Sequence, residues 1–275
     1  MRLPVLAYHA TNISGNDYAT NDHVAFAADL RLIDDLGLKI VPLQWVVDQV
    51  LGRTHRDLSR CVALTCDDGP DLDFVDVDHP VHGRQRSFYN CLIDFVRERS
   101  EAAQPHLHLT AFVIASAEAR GYLDRNCLGG LAWMSDAWWR DAVASPYMAI
   151  GNHSFDHNHD AILLPGVAGM TRGSFDVVDT HERADAEIAR AARLIDAHLA
   201  PVKTQLFCYP YSQVNDYLLH DYFPLHREEH GMDAAFGAGA VPVTADSDVW
   251  NLPRYICGWH WKESNDLRAI LGEFA

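Results

Sequence analysis

Short apolar runs alternate with amphipathic stretches along the whole chain. The runs at residues 3–8, 61–65 and 107–115 have the length and composition of buried strands. Between such runs, apolar residues recur at helical spacing, for example from Asp22 to a stop at Gly37. Further strands are predicted at residues 39–41, 147–151, 205–209, 234–236 and 250–256, and further helices from residues 43, 88, 135, 182 and 264.

Alternation of strands with helices is typical of βα units that build a parallel sheet. It predicts a barrel-like α/β fold in which loops at the carboxyl ends of the strands carry the functional side chains. No internal repeat, low-complexity tract or linker interrupts the pattern, so a single domain over residues 1–275 is the simplest interpretation.

The charge balance excludes two classes of partner. The chain carries 22 basic and 38 acidic side chains, which gives a formal net charge of −16. Binding to nucleic acid and docking to anionic membranes both depend on clustered Lys and Arg. No stretch approaches the roughly 18 apolar residues of a membrane span, so membrane insertion is not expected either.

The cysteines and the N-terminal residues bear on the cellular compartment of the protein. The 6 cysteines are sparse and form no C-x-x-C pair, so we expect reduced thiols. The opening residues, MRLPVLAYHATN, do not have the regions of a secretory signal. We therefore expect a cytoplasmic protein, or a periplasmic or extracellular one if a leader has been removed.

Two adjacent carboxylates, Asp67 and Asp68, directly follow the apolar run at residues 61–65, and Gly69 and Pro70 turn the chain after them. Paired carboxylates at a strand end are costly unless a cation lies close to them. Because Asp, Gly and Pro are also ordinary turn residues, a solvated turn is an equally good interpretation of this segment alone. The acidic residues that follow are expected to form a solvated insertion: Asp71, Asp73, Asp76 and Asp78.

Two histidines, His153 and His157, follow another apolar run. At positions i and i+4 they would share one face of a helix and could bind one metal ion, with Asp67 or Asp68 as a carboxylate ligand. The chain has 16 histidines, so this spacing could also be a coincidence. His159 is a spare candidate for a ligand, although we expect it to face solvent.

Two further segments could contribute to a site. Residues 207–212 form an aromatic strand end that Pro210 interrupts, with plain core packing as the alternative. Arg254, at the head of a late strand, could pair with a carboxylate, although a surface position is the usual place for Arg.

The order TCDDGP, HSFDH and YPY resembles that of the polysaccharide deacetylases, the NodB-like group also called carbohydrate esterase family four. Only Cys66 departs from the first motif of that family, T-F-D-D-G-P, and the second motif, H-[S/T]-x-x-H, is matched in full. In the third motif Cys208 replaces the usual Arg, and the late L-x-H motif is not clean. The resemblance extends over most of the chain and implies a distorted (β/α) barrel.

The opening residues 4–9, PVLAYH, and the late Leu-Pro-Arg at residues 252–254 resemble the subgroup that acts on poly-N-acetylglucosamine of biofilms. In that subgroup a His on the first strand is the general acid, and the Arg of L-P-R lies beside the catalytic Asp. The resemblance therefore implies these positions for His9 and Arg254, and His260 is a rival for the acid. We expect Arg254→Ala to lower the rate by orders of magnitude and to leave the fold intact.

The resemblance implies metal-dependent hydrolysis of an N-acyl group, an N-acetyl group first of all, on an amino sugar or polysaccharide. Zinc is the first candidate for the divalent ion, with cobalt, nickel or iron as alternatives. The sequence leaves open the particular sugar and the oligomeric state. The implied roles are metal ligands Asp68, His153 and His157, general base Asp67, oxyanion donor Tyr211 through its backbone N–H, and substrate contacts Tyr209, Trp259 and His260.

Two other functions agree with the same residues. One is hydrolysis of a different C–N bond, as in a formamido sugar or a small amide. The other is a catalytically silent barrel that binds glycans, although a binding protein has no use for a base beside a metal site. The intact set of two carboxylates and two histidines therefore favours an enzyme.

Overall fold

The computed structural model describes residues 1–275 and is organised around one parallel sheet. Its eight strands follow the order β10-β9-β8-β7-β4-β2-β12, and β3 pairs with the start of β4. Two antiparallel pairs, β1–β11 and β5–β6, lie outside this sheet. The strands are β1 (Arg2–Leu3), β2 (Val5–Tyr8), β3 (Lys39–Ile40), β4 (Cys61–Cys66), β5 (Val77–His79), β6 (Gly83–Gln85), β7 (Leu109–Val113), β8 (Met148–Asn152), β9 (Leu206–Cys208), β10 (Ala234–Phe236), β11 (Val243–Thr244) and β12 (Tyr255–Ile256).

The segment before β12 closes the sheet into a distorted barrel. The N–H of Leu252 donates to the carbonyl of Ala235 at 2.8 Å, and the N–H of Gly237 donates to the carbonyl of Leu252 at 3.0 Å. A few residues later β12 pairs with β2 at the other edge of the sheet. The predicted barrel-like α/β fold is confirmed, although the strand predicted at residues 250–256 is regular only at its end.

Helices cover the outside of the sheet, which leaves its central strands buried on both faces. Every residue of β4 and β7 is buried, as is typical of parallel strands between two layers. No helix combines the length and the apolar character that a membrane crossing would need. The helices are α1 (Asp22–Asp35), α2 (Leu43–Val50), α3 (Phe88–Arg99), α4 (Ala117–Cys127), α5 (Trp139–Ala144), α6 (His181–Ala184), α7 (Arg190–Leu199), α8 (Phe223–Leu225), α9 (Arg227–His230) and α10 (Ser264–Gly272).

Two helix predictions need correction, and one helix was not predicted. The helix predicted from residue 182 is interrupted between α6 and α7 by a π-helical segment, Asp185–Ala189. The helix predicted from residue 135 begins later, at Trp139, and Ser135 does not cap it, because the Ser135 hydroxyl donates to the Asp71 carboxylate at 2.6 Å. Helix α4 was not predicted, because polar residues interrupt its apolar positions.

The expectation of a solvated acidic insertion is also wrong. Asp73 is fully buried, and burial raises the pKa of its carboxyl group. Asp76 accepts hydrogen bonds from Arg86 and from the backbone N–H of Ser87, at the start of α3. These carboxyl groups therefore fasten the segment after β4 to the rest of the fold, and Asp78 remains exposed.

Gly69 fits against β7 so closely that a side chain there would collide with it. Its φ is +68°, and a Cβ atom would lie 2.7 Å from the Cβ and 2.9 Å from the Cα of Val113. Gly69→Ala should therefore lower the free energy of unfolding by about 2 kcal/mol or more, through overpacking and backbone strain together. Urea denaturation measures this loss.

Gly52→Ala is the matched control for that substitution. Gly52 has a φ of +67°, but nothing lies within 4 Å of its Cβ position. It should therefore lose only the backbone contribution, about 1 kcal/mol. Equal losses in the two variants would contradict a specific contact between Gly69 and Val113.

Candidate active site

The chemically active side chains meet where the strands end, as the sequence predicted. Asp67 and Asp68 directly follow β4, His153 follows β8, and His9 follows β2. Since the carboxyl ends of parallel strands lie at one edge of the sheet, these residues converge there. Arg254 reaches the same place from the segment that closes the barrel.

Asp67 and Arg254 form a buried ion pair with two hydrogen bonds. The Nη1 and Nη2 atoms of Arg254 each donate to one carboxylate oxygen of Asp67 at 2.8 Å. The two residues are 3 % and 0 % exposed, respectively. Arg254 also donates to the hydroxyl of Thr65 at 3.1 Å and to the carbonyl of Gly237 at 3.1 Å, so its buried charge is well satisfied.

This ion pair keeps Asp67 ionised. Burial alone would raise the pKa of Asp67, but the Arg254 guanidinium outweighs burial and holds that pKa well below its usual range. Cys208 completes the contact, because Arg254 Nη2 lies 2.9 Å from its sulfur. Burial raises the pKa of the Cys208 thiol.

Asp68, His153 and His157 form a second group beside the ion pair. The Oδ1 atom of Asp68 lies 3.5 Å from Nε2 of His153 and 3.7 Å from Nε2 of His157. One ligand atom from each residue lies within 4.8 Å of the other two. Two imidazoles and one carboxylate are ligands that divalent transition metals accept.

The orientation of the two histidines fits that use. Nδ1 of His153 contacts the carbonyl of Cys208 at 2.9 Å and must donate to it, which leaves Nε2 facing Asp68. Burial, with a contribution from His153, lowers the pKa of His157 to about 3, so its imidazole is neutral. The three side chains could therefore hold one divalent ion between them.

The structure corrects the explanation of the histidine spacing. Residues 153–157 do not form a helix, because Ser154 and His157 have φ values of 70° and 63°. The histidines converge instead through a tight loop, in which the N–H of His157 donates to the hydroxyl of Ser154 at 2.9 Å. Asp68 also has a positive φ, 75°. Such strained backbone is typical of functional sites.

The two carboxylates and the two histidines line one cavity of about 270 Å³, whereas Arg254 and Cys208 lie behind Asp67 and do not line it. His9 is at its edge, with Nε2 3.8 Å from Oδ2 of Asp67. One wall is apolar and contains Ile114, Leu123 and Met134. The cavity thus combines a few convergent polar groups with an apolar lining, as small-molecule sites do.

Of the three predicted substrate contacts, only Tyr209 lines the cavity. Tyr209 lines the cavity, but its hydroxyl donates to the carbonyl of Trp250 at 2.7 Å. Trp259 is 66 % exposed and stacks on His260, and neither residue lines the cavity. Tyr211 does line it, and its ring lies 4.5 Å from that of His157.

One residue of the site was not predicted from the sequence, and another was named there only as a spare ligand candidate. That candidate, His159, lines the cavity with 28 % of its side chain exposed, so it does not simply face solvent as expected. Cys208 contacts both Asp67 and Arg254, although it had only been noted as a departure from a motif. The sequence did offer one indication of this role, because Cys208 lies near the end of the strand predicted at residues 205–209, where functional side chains are expected.

Several solved structures share the fold. IcaB from Ammonifex degensii is 21 % identical, with a TM-score of 0.64 over 100 % of this chain and 97 % of that chain. A de-N-acetylase from Aggregatibacter actinomycetemcomitans is 15 % identical, with a TM-score of 0.61 over 98 % and 100 %. The Streptococcus pyogenes deacetylase PplD, solved in complex with acetate, is 17 % identical, with a TM-score of 0.61 over 98 % of both chains. No match to a curated protein sequence was found.

A barrel that brings two ionised carboxylates and two histidines together in one cavity is an arrangement that suits metal-dependent hydrolysis. Residues 55–223, more than half of the chain, match the family model for polysaccharide deacetylase. The chain belongs to the polysaccharide deacetylase family, as the three sequence motifs indicated. The prediction of an enzyme that deacetylates a carbohydrate is confirmed by this membership.

The burial of the ion pair contradicts the expectation that Arg254→Ala leaves the fold intact. Removing the guanidinium leaves the Asp67 carboxylate buried without a partner, which should cost about 3–5 kcal/mol of unfolding free energy. The fold would therefore not be left unaffected. The double variant Asp67→Asn/Arg254→Ala should recover most of that stability, because it leaves no charge buried at this place. It should remain inactive, because it lacks the Asp67 carboxylate.

Urea denaturation of the wild type, both single variants and the double variant measures this coupling. Arg53→Ala is the matched control, because Arg53 makes a similar two-bond pair with Asp233 but its side chain is 43 % exposed. It should cost about 1 kcal/mol or less. Additive losses in the double variant would contradict the ion pair as the source of the effect.

Proposed function

We propose that this protein hydrolyses the N-acetyl groups of an amino-sugar polymer, with poly-N-acetylglucosamine as the first candidate substrate. The observation that carries the proposal is an ionised carboxylate, Asp67, in the same small cavity as the Asp68, His153 and His157 group. Amide hydrolysis needs a base for water, stabilisation of an oxyanion and an acid for the departing amine. The cavity offers one group for each task.

Asp68, His153 and His157 would hold the divalent metal ion, for which zinc is the first candidate. When bound, the ion supplies Lewis-acid activation of the attacking water and of the acyl oxygen. The donor set does not distinguish zinc from cobalt, nickel or iron. The cavity also leaves room for substrate beside the three ligands.

Asp67 would be the general base. It takes a proton from water as the oxygen of that water adds to the carbonyl carbon of the acetamido group. Arg254 holds both oxygens of the carboxylate and so fixes its direction and its charge. The backbone N–H of Tyr211 would donate to the oxyanion that forms, and the φ of 57° at Tyr211 orients this part of the chain.

His9 would be the general acid. As the C–N bond breaks, it gives a proton to the amine, and the products are acetate and a free amino sugar. His9 lines the cavity and lies within 4 Å of Asp67, whereas His260 does not line the cavity and its Nδ1 accepts the N–H of Ile256 at 2.7 Å. These positions favour His9 over His260.

Comparison of Asp67→Asn with Asp68→Ala tests the base and the ligand separately. Asp67→Asn should retain one equivalent of zinc but release acetate from N-acetylglucosamine oligomers about a thousandfold more slowly. Asp68→Ala should lose both zinc and activity. The measurements are metal content by mass spectrometry and acetate release. Near-normal turnover in Asp67→Asn would remove Asp67 as the base.

The same assay identifies the reaction. If wild-type protein with bound zinc releases no acetate from any oligomer, the N-deacetylase proposal is wrong. Formamido sugars and small amides are then the next substrates to assay. Zinc retained by Asp67→Asn also reports that this variant has kept its fold.

Comparison of His9→Ala with His260→Ala tests the acid. His9→Ala should lower kcat by about a hundredfold or more, because the departing amine then lacks its proton donor. His260→Ala should change kcat little, since its side chain lies outside the cavity. A larger loss in His260→Ala would reverse the assignment.

A further inference from the structure

A second group of metal-binding side chains lies on the surface of the protein. His181 begins α6, His226 immediately precedes α9, and Glu229 lies in α9. One ligand atom from each residue lies within 4.8 Å of the other two, the same limit that the active-site group meets. None of the three residues lines the active-site cavity.

The carboxylate of Glu229 lies between the two imidazoles. Its Oε2 atom is 2.8 Å from Nε2 of His181, and its Oε1 atom is 2.8 Å from Nδ1 of His226. The centroids of the two rings are 4.6 Å apart. Because the histidines are distant in the sequence, this convergence is produced by the fold, and two imidazoles with one carboxylate are a donor set that binds zinc.

No Lys or Arg side chain pairs with the Glu229 carboxylate, whose ion-pair partners are the two histidines alone. The arginines of the same two helices bind other carboxylates, since Arg183 pairs with Asp179 and Arg227 pairs with Asp233. The chain as a whole has a net charge of −16. A divalent cation at this place would therefore supply positive charge where the protein lacks it.

Both histidines are able to offer a lone pair to such an ion. A neutral imidazole carries one proton, which either ring nitrogen can hold, so the nitrogen that faces Glu229 can become a ligand. Ligand atoms around a tetrahedral zinc ion lie about 3.3 Å apart. The two contacts to Glu229 would therefore lengthen by only about half an ångström around the ion.

Tyr222 supports both rings from the interior of the protein. It is fully buried, it stacks on His226 with centroids 5.6 Å apart, and the ring of His181 meets it edge-on at 6.0 Å. The N–H of His226 donates to the carbonyl of Tyr222 at 2.9 Å, and the N–H of Glu229 donates to the carbonyl of His226 at 2.9 Å. The ligands are thus positioned in advance, which lowers the entropic cost of binding.

We propose that His181, His226 and Glu229 form a second metal site, which takes a divalent transition-metal ion such as zinc and joins α6 to α9. An ion held there stabilises the folded chain, because the unfolded chain does not bring the three ligands together. The ligands are partly exposed, so the ion exchanges with solvent. Dialysed protein therefore keeps only the ion of the active-site group.

Zinc titration of dialysed, untagged protein tests the site. The wild type should take up one further equivalent, whereas His226→Ala and Glu229→Gln should each bind it about tenfold more weakly or less tightly still, since one ligand is missing. His220→Ala and Glu228→Gln are the matched controls, because both residues are exposed neighbours outside the group. Competition with a chromophoric chelator measures the affinity, and circular dichroism verifies that each variant is folded.

Thermal denaturation tests the link between the two helices. In Asp68→Ala, which lacks a ligand of the active-site group, zinc at about 100 times its Kd should raise the Tm by about 5 °C. Addition of His226→Ala to this background should abolish the rise, and addition of His220→Ala should leave it unchanged.

Three results would overturn the inference. One is a dialysed wild type that takes up no further zinc. The second is an equal loss of affinity in the two control variants, which would indicate diffuse attraction of cations to an acidic surface. The third is a Tm of Asp68→Ala that does not respond to zinc, because α6 and α9 are then not joined by the ion.

This inference does not rest on the proposed function, and the two fail separately. None of the readouts above involves acetate release, so a protein that deacetylates no oligomer can still take up the second ion. Conversely, dialysed His226→Ala should release acetate as fast as the dialysed wild type, since His226 does not line the cavity. An active enzyme that takes up no second ion would overturn the inference and leave the proposed function in place.

Discussion

The buried ion pair between Asp67 and Arg254 is the interaction on which the rest of the site depends. A carboxylate with no access to solvent is costly, and two hydrogen bonds to a satisfied guanidinium offset that cost. Since one partner follows β4 and the other lies in the segment that closes the barrel, the pair forms only when the sheet has its complete shape. Thr65 and Cys208 then complete the contacts of Arg254.

Strand β7 sets the distance between the two halves of the candidate metal site. It lies between β4 and β8, which are followed by Asp68 and His153. At its end, Val113 packs against Gly69 and accepts the N–H of His153 at 2.9 Å. One buried valine thus positions both sides of the site, and the strained backbone at Asp68 then directs its carboxylate toward the histidines.

Apolar runs and the residues that follow them predicted much of this arrangement. Asp67, Asp68 and His153 could be placed together because each follows a buried strand of a parallel sheet. The loop conformation of His157 could not be predicted, since the i, i+4 spacing is compatible with a helix and with a tight turn alike. Nor could the sequence show that Trp259 is exposed, because whether an indole lines a cavity or faces solvent is decided by distant parts of the chain. The burial of Asp73 has the same origin.

Arg254 follows both aspartates and both histidines of the site along the chain, and this order has a consequence for the protein during its synthesis. A nascent chain that ends at Gly237 already contains both aspartates and both histidines of the site. It has no counter-charge for Asp67, and its barrel lacks the segment that bridges β10 and β2. Closing the barrel and neutralising the Asp67 carboxylate are therefore one event, so a chain on the ribosome that does not yet contain Arg254 lacks the ion pair of the site.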